Sequence, residues 1–184
     1  MPRVIRDHLK DIAQSIIYFL NNETFTRSGK TKTLRAFLVD EGAIEDLPIL
    51  VGFPSAFEEL VLPTLALVQG VAEAQGELGY GELAKELVVN YTLFGFAGGF
   101  PEDARNIRMR DQLMNDVKLL LEDTEILSLY TIGPDGALDT SVPVGDLDIT
   151  NVSARPIPAT GIQAAERARF AIDFAAILVR ALDA

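Results

Sequence analysis

Four aspartates, Asp135, Asp139, Asp146 and Asp148, crowd the stretch 133–148. Clustered carboxylates are the ligand type that hard divalent cations choose, and a held metal can activate water. A calcium loop needs oxygen ligands at alternate positions and a late bidentate glutamate. That order is missing here, so a solvated acidic loop is the plainer reading. The stretch FGFAGGFPED (94–103) has the order strand, glycine turn, helix start, in which phosphate loops are built. A P-loop, however, ends in Gly-Lys-Ser/Thr, and a dinucleotide fingerprint spaces its glycines as Gly-x-Gly-x-x-Gly. Gly95, Gly98 and Gly99 satisfy neither. Glu102 and Asp103 would moreover compete with a phosphate for the N–H groups of the helix they open. The turn therefore reads as a permissive hinge between a strand and a packed helix.

His8 is the one histidine, and no Gly-x-Ser-x-Gly nucleophile motif occurs. Arg105, Arg108 and Arg110 form a basic segment, partly neutralised by Asp103 and Asp111. A phosphate site, a salt-bridged protein interface and an ordinary solvated face all fit it, the last most simply. No catalytic, cofactor-binding or metal-binding residue is assigned.

Composition narrows the setting. The chain has 184 residues, 48% of them hydrophobic, which suffices for one good-sized core. Its net charge of −11 argues against general affinity for nucleic acid or anionic membrane. With no cysteine there is neither a disulfide framework nor a thiolate site. The start, MPRVIRDHLKDI, carries charges inside its apolar stretch and is not expected to act as a secretory signal. NET, NYT and NVS are then chance matches to the glycosylation pattern. No apolar run reaches the length of a membrane span.

The elements follow from periodicity. Ile5, Leu9, Ile12, Ile16 and Leu20 predict an amphipathic helix over 3–20, with Arg6, Asp7, Lys10, Asp11 and Gln14 on its other face. Residues 24–32 read as a polar link and 33–42 as a short strand. The stretch 43–58 is mixed, interrupted by Pro48, Gly52 and Pro54. A strand over 60–70 would hold Pro63, which suggests an edge or a bulge. A long acidic loop follows at about 70–82, then a strand over 86–96. The best helix is 101–124, with Ala104, Ile107, Leu113, Val117, Leu120 and Leu121 as its apolar stripe and Pro101 at its first position. Strands are expected at 126–132 and 145–157, with the turn 133–136 and a polar loop over 133–145 between them. Residues 167–184 read as a last strand, because Phe170, Ile172 and Phe174 alternate. The fold class is α+β: a mostly antiparallel sheet with an N-terminal helix and the long helix packed on it, in a single domain spanning 1–184.

Two stretches carry a family resemblance. VVNYTLFGFAGGFPEDARNIRMRDQLMNDVKLLLED (88–123) resembles the core of phage tail terminator proteins. There a strand ends in a turn and is followed by a helix of the pattern R-x-x-L-x-x-x-V-x-x-x-L, matched by Arg110, Leu113, Val117 and Leu121. ARPIPATGIQAAERARFAIDFAAILVRA (154–181) resembles the family's closing segment. The N-terminal helix has its counterpart too, so the resemblance spans most of 1–40 and 84–184. Other neck proteins of long-tailed phages, such as head–tail connectors, share this level of pattern.

The resemblance implies a structural virion protein located at the tail or neck, and in the host cytoplasm during assembly. Such proteins form a homo-oligomeric, hexameric ring that caps the tail tube, stops its polymerisation and joins it to the head connector. The implied partners are the tail tube protein and the head–tail connector protein. DNA would pass through the bore without specific binding, aided by like charge, and no enzyme activity, cofactor or membrane is implied. Contacts are expected on the loops at about 70–82 (Glu73, Glu77, Tyr80) and 133–145 (Asp135, Asp139), and on the long helix (Arg105, Arg108). Two rival readings remain: a metal-dependent enzyme using Asp135, Asp146 and Asp148, and an adaptor that binds a partner through an exposed strand.

Overall fold

Helix α1 runs from His8 to Asn22 in the computed structural model, which describes residues 8–42, 47–52, 62–77, 84–98, 103–124, 126–158 and 167–181. Ile12, Ile16 and Leu20 are fully buried, as their spacing predicts. Asp11 is not on the polar face: it is buried together with Ser15, one helical turn away.

The polar link after α1 is a β-hairpin. β1 (Thr24–Arg27) pairs with β2 (Lys30–Thr33) around Ser28 and Gly29, both at positive φ, the backbone twist that two-residue hairpin turns require. The short strand expected at 33–42 is instead helix α2 (Leu34–Asp40). The Thr33 hydroxyl caps it by accepting from the Ala36 N–H at 3.3 Å. Leu34, Phe37 and Leu38 recur at helical steps and are buried. Burial of that stripe overrides the strand preference of its β-branched and aromatic residues.

Among the described residues a six-stranded sheet follows, in the order β3 (Ile49–Val51), β4 (Thr64–Glu77), β5 (Ala84–Gly98), β10 (Arg167–Ala181), β9 (Gly145–Ile157) and β6 (Ile126–Leu129). β3 (Ile49–Val51) runs parallel to β4 (Thr64–Glu77), and every other neighbour is antiparallel. β4 and β5 (Ala84–Gly98) form one long hairpin. Residues 71–77, expected as loop, continue β4 up to a Glu77↔Lys85 pair. The strand expected at 60–70 starts later, at Thr64. Pro63, after a cis peptide bond, precedes the ladder rather than interrupting it.

The strand expected at 86–96 runs on to Gly98, so Gly95 and Gly98 both belong to β5 and the expected hinge is narrowed to the residues after them. Gly95 stands opposite Phe170, and a Cβ added there would come within 2.0 Å of the phenyl ring. The glycine serves close packing, not chain reversal. Gly99 to Glu102 lie outside the described residues.

Helix α3 (Asp103–Asp123) packs on one face of the sheet across β5, β10 and β9. Leu113, Val117, Leu120 and Leu121 are buried as expected, but Ile107 is 44% exposed and Ala104 is exposed too. The first half of the helix is turned so that Asn106 and Met109 face inward, Met109 against Ala97 and Ala168.

The strand expected at 126–132 is broken at Tyr130 into β6 (Ile126–Leu129) and β7 (Thr131–Ile132). β7 pairs with β8 (Leu138–Asp139), so a miniature hairpin stands inside the region expected as loop. β9 (Gly145–Ile157) and β10 (Arg167–Ala181) follow the expected spans closely. The result is the expected α+β fold with a mostly antiparallel sheet. Its core face joins Leu67, Leu93, Ile172 and Phe174 to Ile16, Leu113 and Val117 of the helices. One cavity is lined by Ala13 of α1, Val51 of β3, Gln69 of β4 and Ile132 of β7. The sheet therefore curls until its β4 side and the β6–β7 end reach the same helix. Among the described residues, no helix is long and apolar enough to cross a membrane.

Candidate functional site

The buried polar groups tie elements together. Tyr130, at the break between β6 and β7, has both backbone groups met by Ser15: its N–H donates to Ser15 Oγ at 2.9 Å, and the hydroxyl approaches its carbonyl at 3.4 Å. The Ile132 N–H donates to Asp11 Oδ1 at 2.9 Å. Two side chains of α1 thus take the place of a neighbouring strand where the ladder fails.

A second cluster joins the β1–β2 hairpin to both other helices. Arg27 Nη1 donates to Asp116 Oδ2 of α3 at 2.5 Å, and Nη2 pairs with Glu41 after α2. The guanidinium lies 4.2 Å from the centroid of the Phe37 ring. Arg105 Nη2 donates to the Glu41 carbonyl at 2.9 Å. Burial pushes the Asp116 carboxyl up to about 6; Arg27 pulls it down and Glu41 pushes it further up.

On the opposite face of the sheet, Asp173 accepts from the Thr92 hydroxyl at 2.7 Å and pairs with Arg155. Burial raises its carboxyl, but these two partners together hold it below its ordinary value. In the core, Tyr91 is 2% exposed and its ring stacks on Phe174 at 5.7 Å. Its buried hydroxyl has no hydrogen-bond partner among the described residues.

The residues expected to make contacts fall in separate places. Glu73 and Glu77 belong to β4, opposite Val88 and Lys85, and so stand on a ladder rather than in a loop. Tyr80 lies outside the described residues. Arg105 and Arg108 are exposed near the start of α3, where Arg108 Nε donates to the Ala104 carbonyl at 3.4 Å. Asp135 and Asp139 stand on the β7–β8 hairpin and each serves its own turn. Asp135 Oδ1 accepts from the Ala137 N–H at 3.1 Å, and Asp139 Oδ1 accepts from both the N–H and the hydroxyl of Ser141. The Ser141 hydroxyl and N–H hold the Asp139 carboxyl below its ordinary range. Among the described residues, no three acidic or histidine side chains gather as a metal site would need.

One concavity among the described residues is not evident from the sequence. A groove of about 570 Å³ runs between the end of α1, the end of α3 and the edge strand β6. Tyr18 and Ile126 are its exposed apolar groups, 37% and 59% accessible, and Tyr18 meets Tyr130 edge-on at 5.6 Å. Its charged lining residues, Glu23 and Asp123, are both acidic. Edge strands offer unpaired backbone groups to partners, so the groove joins such an edge to exposed apolar and acidic side chains. The sequence signal was slight: an exposed aromatic at 18 and an apolar residue opening β6.

No protein-family model matches the chain, and no curated protein matches it either.

Proposed function

We propose that this chain is a structural virion protein of the phage tail terminator type. It would form a ring at the head-proximal end of the tail, stop tube polymerisation and join the tail to the head connector. The reading rests on the resemblance of 88–123 and 154–181 to that family, and one observation supports it most. The two stretches are neighbours in space: β10 pairs with β5 along its whole length, and α3 lies across β5, β10 and β9. Leu113, Val117 and Leu121, three of the four matched helix positions, are core residues of that unit. The stretches that carry the resemblance therefore build one packed unit, a helix on a sheet, rather than two unrelated segments.

The commitments of the polar groups agree with an architectural role. Asp11, Asp116 and Asp173 each hold one element against another. A net charge of −11 suits a bore through which DNA slides without sticking.

The test is imaging of purified particles and of the isolated chain. A six-fold ring at the head-proximal end of the tail is the expected result. A monomer that gains thermal stability with a divalent ion, and is absent from particles, would replace this reading with a metal-dependent one.

A further inference from the structure

The two ends of α3 carry complementary surfaces. Near its start, Arg105 and Arg108 flank the exposed Ile107. Beside its end lies the groove along β6, where Glu23 and Asp123 border the exposed Tyr18 and Ile126. From Arg108 to Asp123 the helix advances about 22 Å, at roughly 1.5 Å per residue. A rigid helix holds the patches apart, so one copy cannot bring its own arginines to its own groove.

We infer that copies of this chain dock head to tail, with the patch of Ile107 and Arg108 on α3 of one copy seated in the acidic groove beside β6 on the next. Ile107 meets the apolar floor formed by Tyr18 and Ile126, while Arg108 meets the carboxylates at the rim. Arginine and tyrosine are the residue types enriched at such contacts. Two different patches on one subunit make a heterologous interface, which closes into a ring when its rotation permits. The inference deepens the ring reading above and takes only the subunit number from it. It moves the expected contacts away from 70–82 and 133–145 and keeps those on α3. Arg105, already bonded to the Glu41 carbonyl, borders the patch, and Arg108 carries the charge contact.

The test is sedimentation velocity and negative-stain imaging of the full chain at low and high salt. The proteins compared are the wild type, Arg108→Glu, the pair Glu23→Lys with Asp123→Lys, and all three changes together. The wild type is expected to assemble, more weakly in high salt. Each one-sided reversal should weaken association at least tenfold, and the threefold swap should restore it. Every altered residue is exposed; should a reversal fail to fold, Arg108→Gln and Asp123→Asn test the same contact more gently. Assembly into rings that ignore the reversals would overturn the docking surface and leave the ring reading standing. Assembly that follows the reversals but closes with a number other than six, or not at all, would uphold the surface and overturn the hexamer. A wild type that stays monomeric at every concentration would overturn both.

Discussion

Gly95 and Phe170 face each other across the β5–β10 ladder, and the phenyl ring fills the space that a side chain at position 95 would occupy. Gly95→Ala is therefore expected to cost about 1–3 kcal/mol through overpacking. Phe170→Leu removes the ring atoms that clash, so the double variant should lose less than the sum of the two single changes. Chemical denaturation of the three variants measures both effects. Additive losses would mean that the ring is not what excludes the methyl group.

Asp116 gives stability a pH dependence of unusual sign for a carboxylate. Its pKa in the folded chain is raised to about 6 from 3.8, mainly by burial. Its contribution is thus complete below about pH 4 and is lost as pH rises through 6. The shift corresponds to roughly 3 kcal/mol. The stability difference between wild type and Asp116→Asn should move by that order between pH 4 and 7, with the wild type losing ground as pH rises. Arg27→Met should deepen the loss above pH 6, because it leaves a buried carboxylate without its cation. Asp173 and Asp40, whose carboxyls are held low, work in the opposite direction and lose their contributions on acidification. For this reason the comparison must be made against Asp116→Asn rather than on the wild type alone.

Ser15→Ala should cost about 1–3 kcal/mol, because the Tyr130 N–H loses its acceptor in a part-buried site. Asp11→Ala should behave likewise through Ile132, and Asp11→Asn much less, since an amide oxygen still accepts. Hydrogen exchange supplies the local readout: the amides of Tyr130 and Ile132 should lose protection in these variants. Unchanged protection would mean that the backbone finds another partner.

Tyr91→Phe should raise stability by about 1 kcal/mol or leave it level. The change removes a buried hydroxyl that finds no partner among the described residues and keeps the ring stacked on Phe174. Thermal unfolding measures it, and a clear loss of stability would show that the hydroxyl is bonded after all.

Where one residue's neighbours along the chain decide its structure, the sequence was a good guide. β9 and β10 follow directly from alternation, and the second half of α3 from its stripe of Leu113, Val117 and Leu121. Where distant partners decide, it was not. TLRAFLVD resembles a strand until Thr33 is seen capping it and Phe37 is seen under Arg27. Gly95 resembles a turn residue because the reason for it, Phe170, comes 75 positions later. The groove beside β6 was illegible for the same reason: Tyr18, Asp123 and Ile126 become neighbours only when α1, α3 and the sheet edge meet.

The substitution of α1 for a strand partner bears on how the chain is made. Asp11 and Ser15 leave the ribosome more than a hundred residues before the amides they serve: the separations are 121 and 115. Until then those two polar groups lack the amides they serve, although α2 and β4, which α1 also touches, are already made. Closing so long a loop is a late event, because its entropy must be met before the contact returns anything. A nascent chain stalled before residue 130 is therefore expected to leave α1 incompletely covered, and the arrival of β6 and β7 completes its packing.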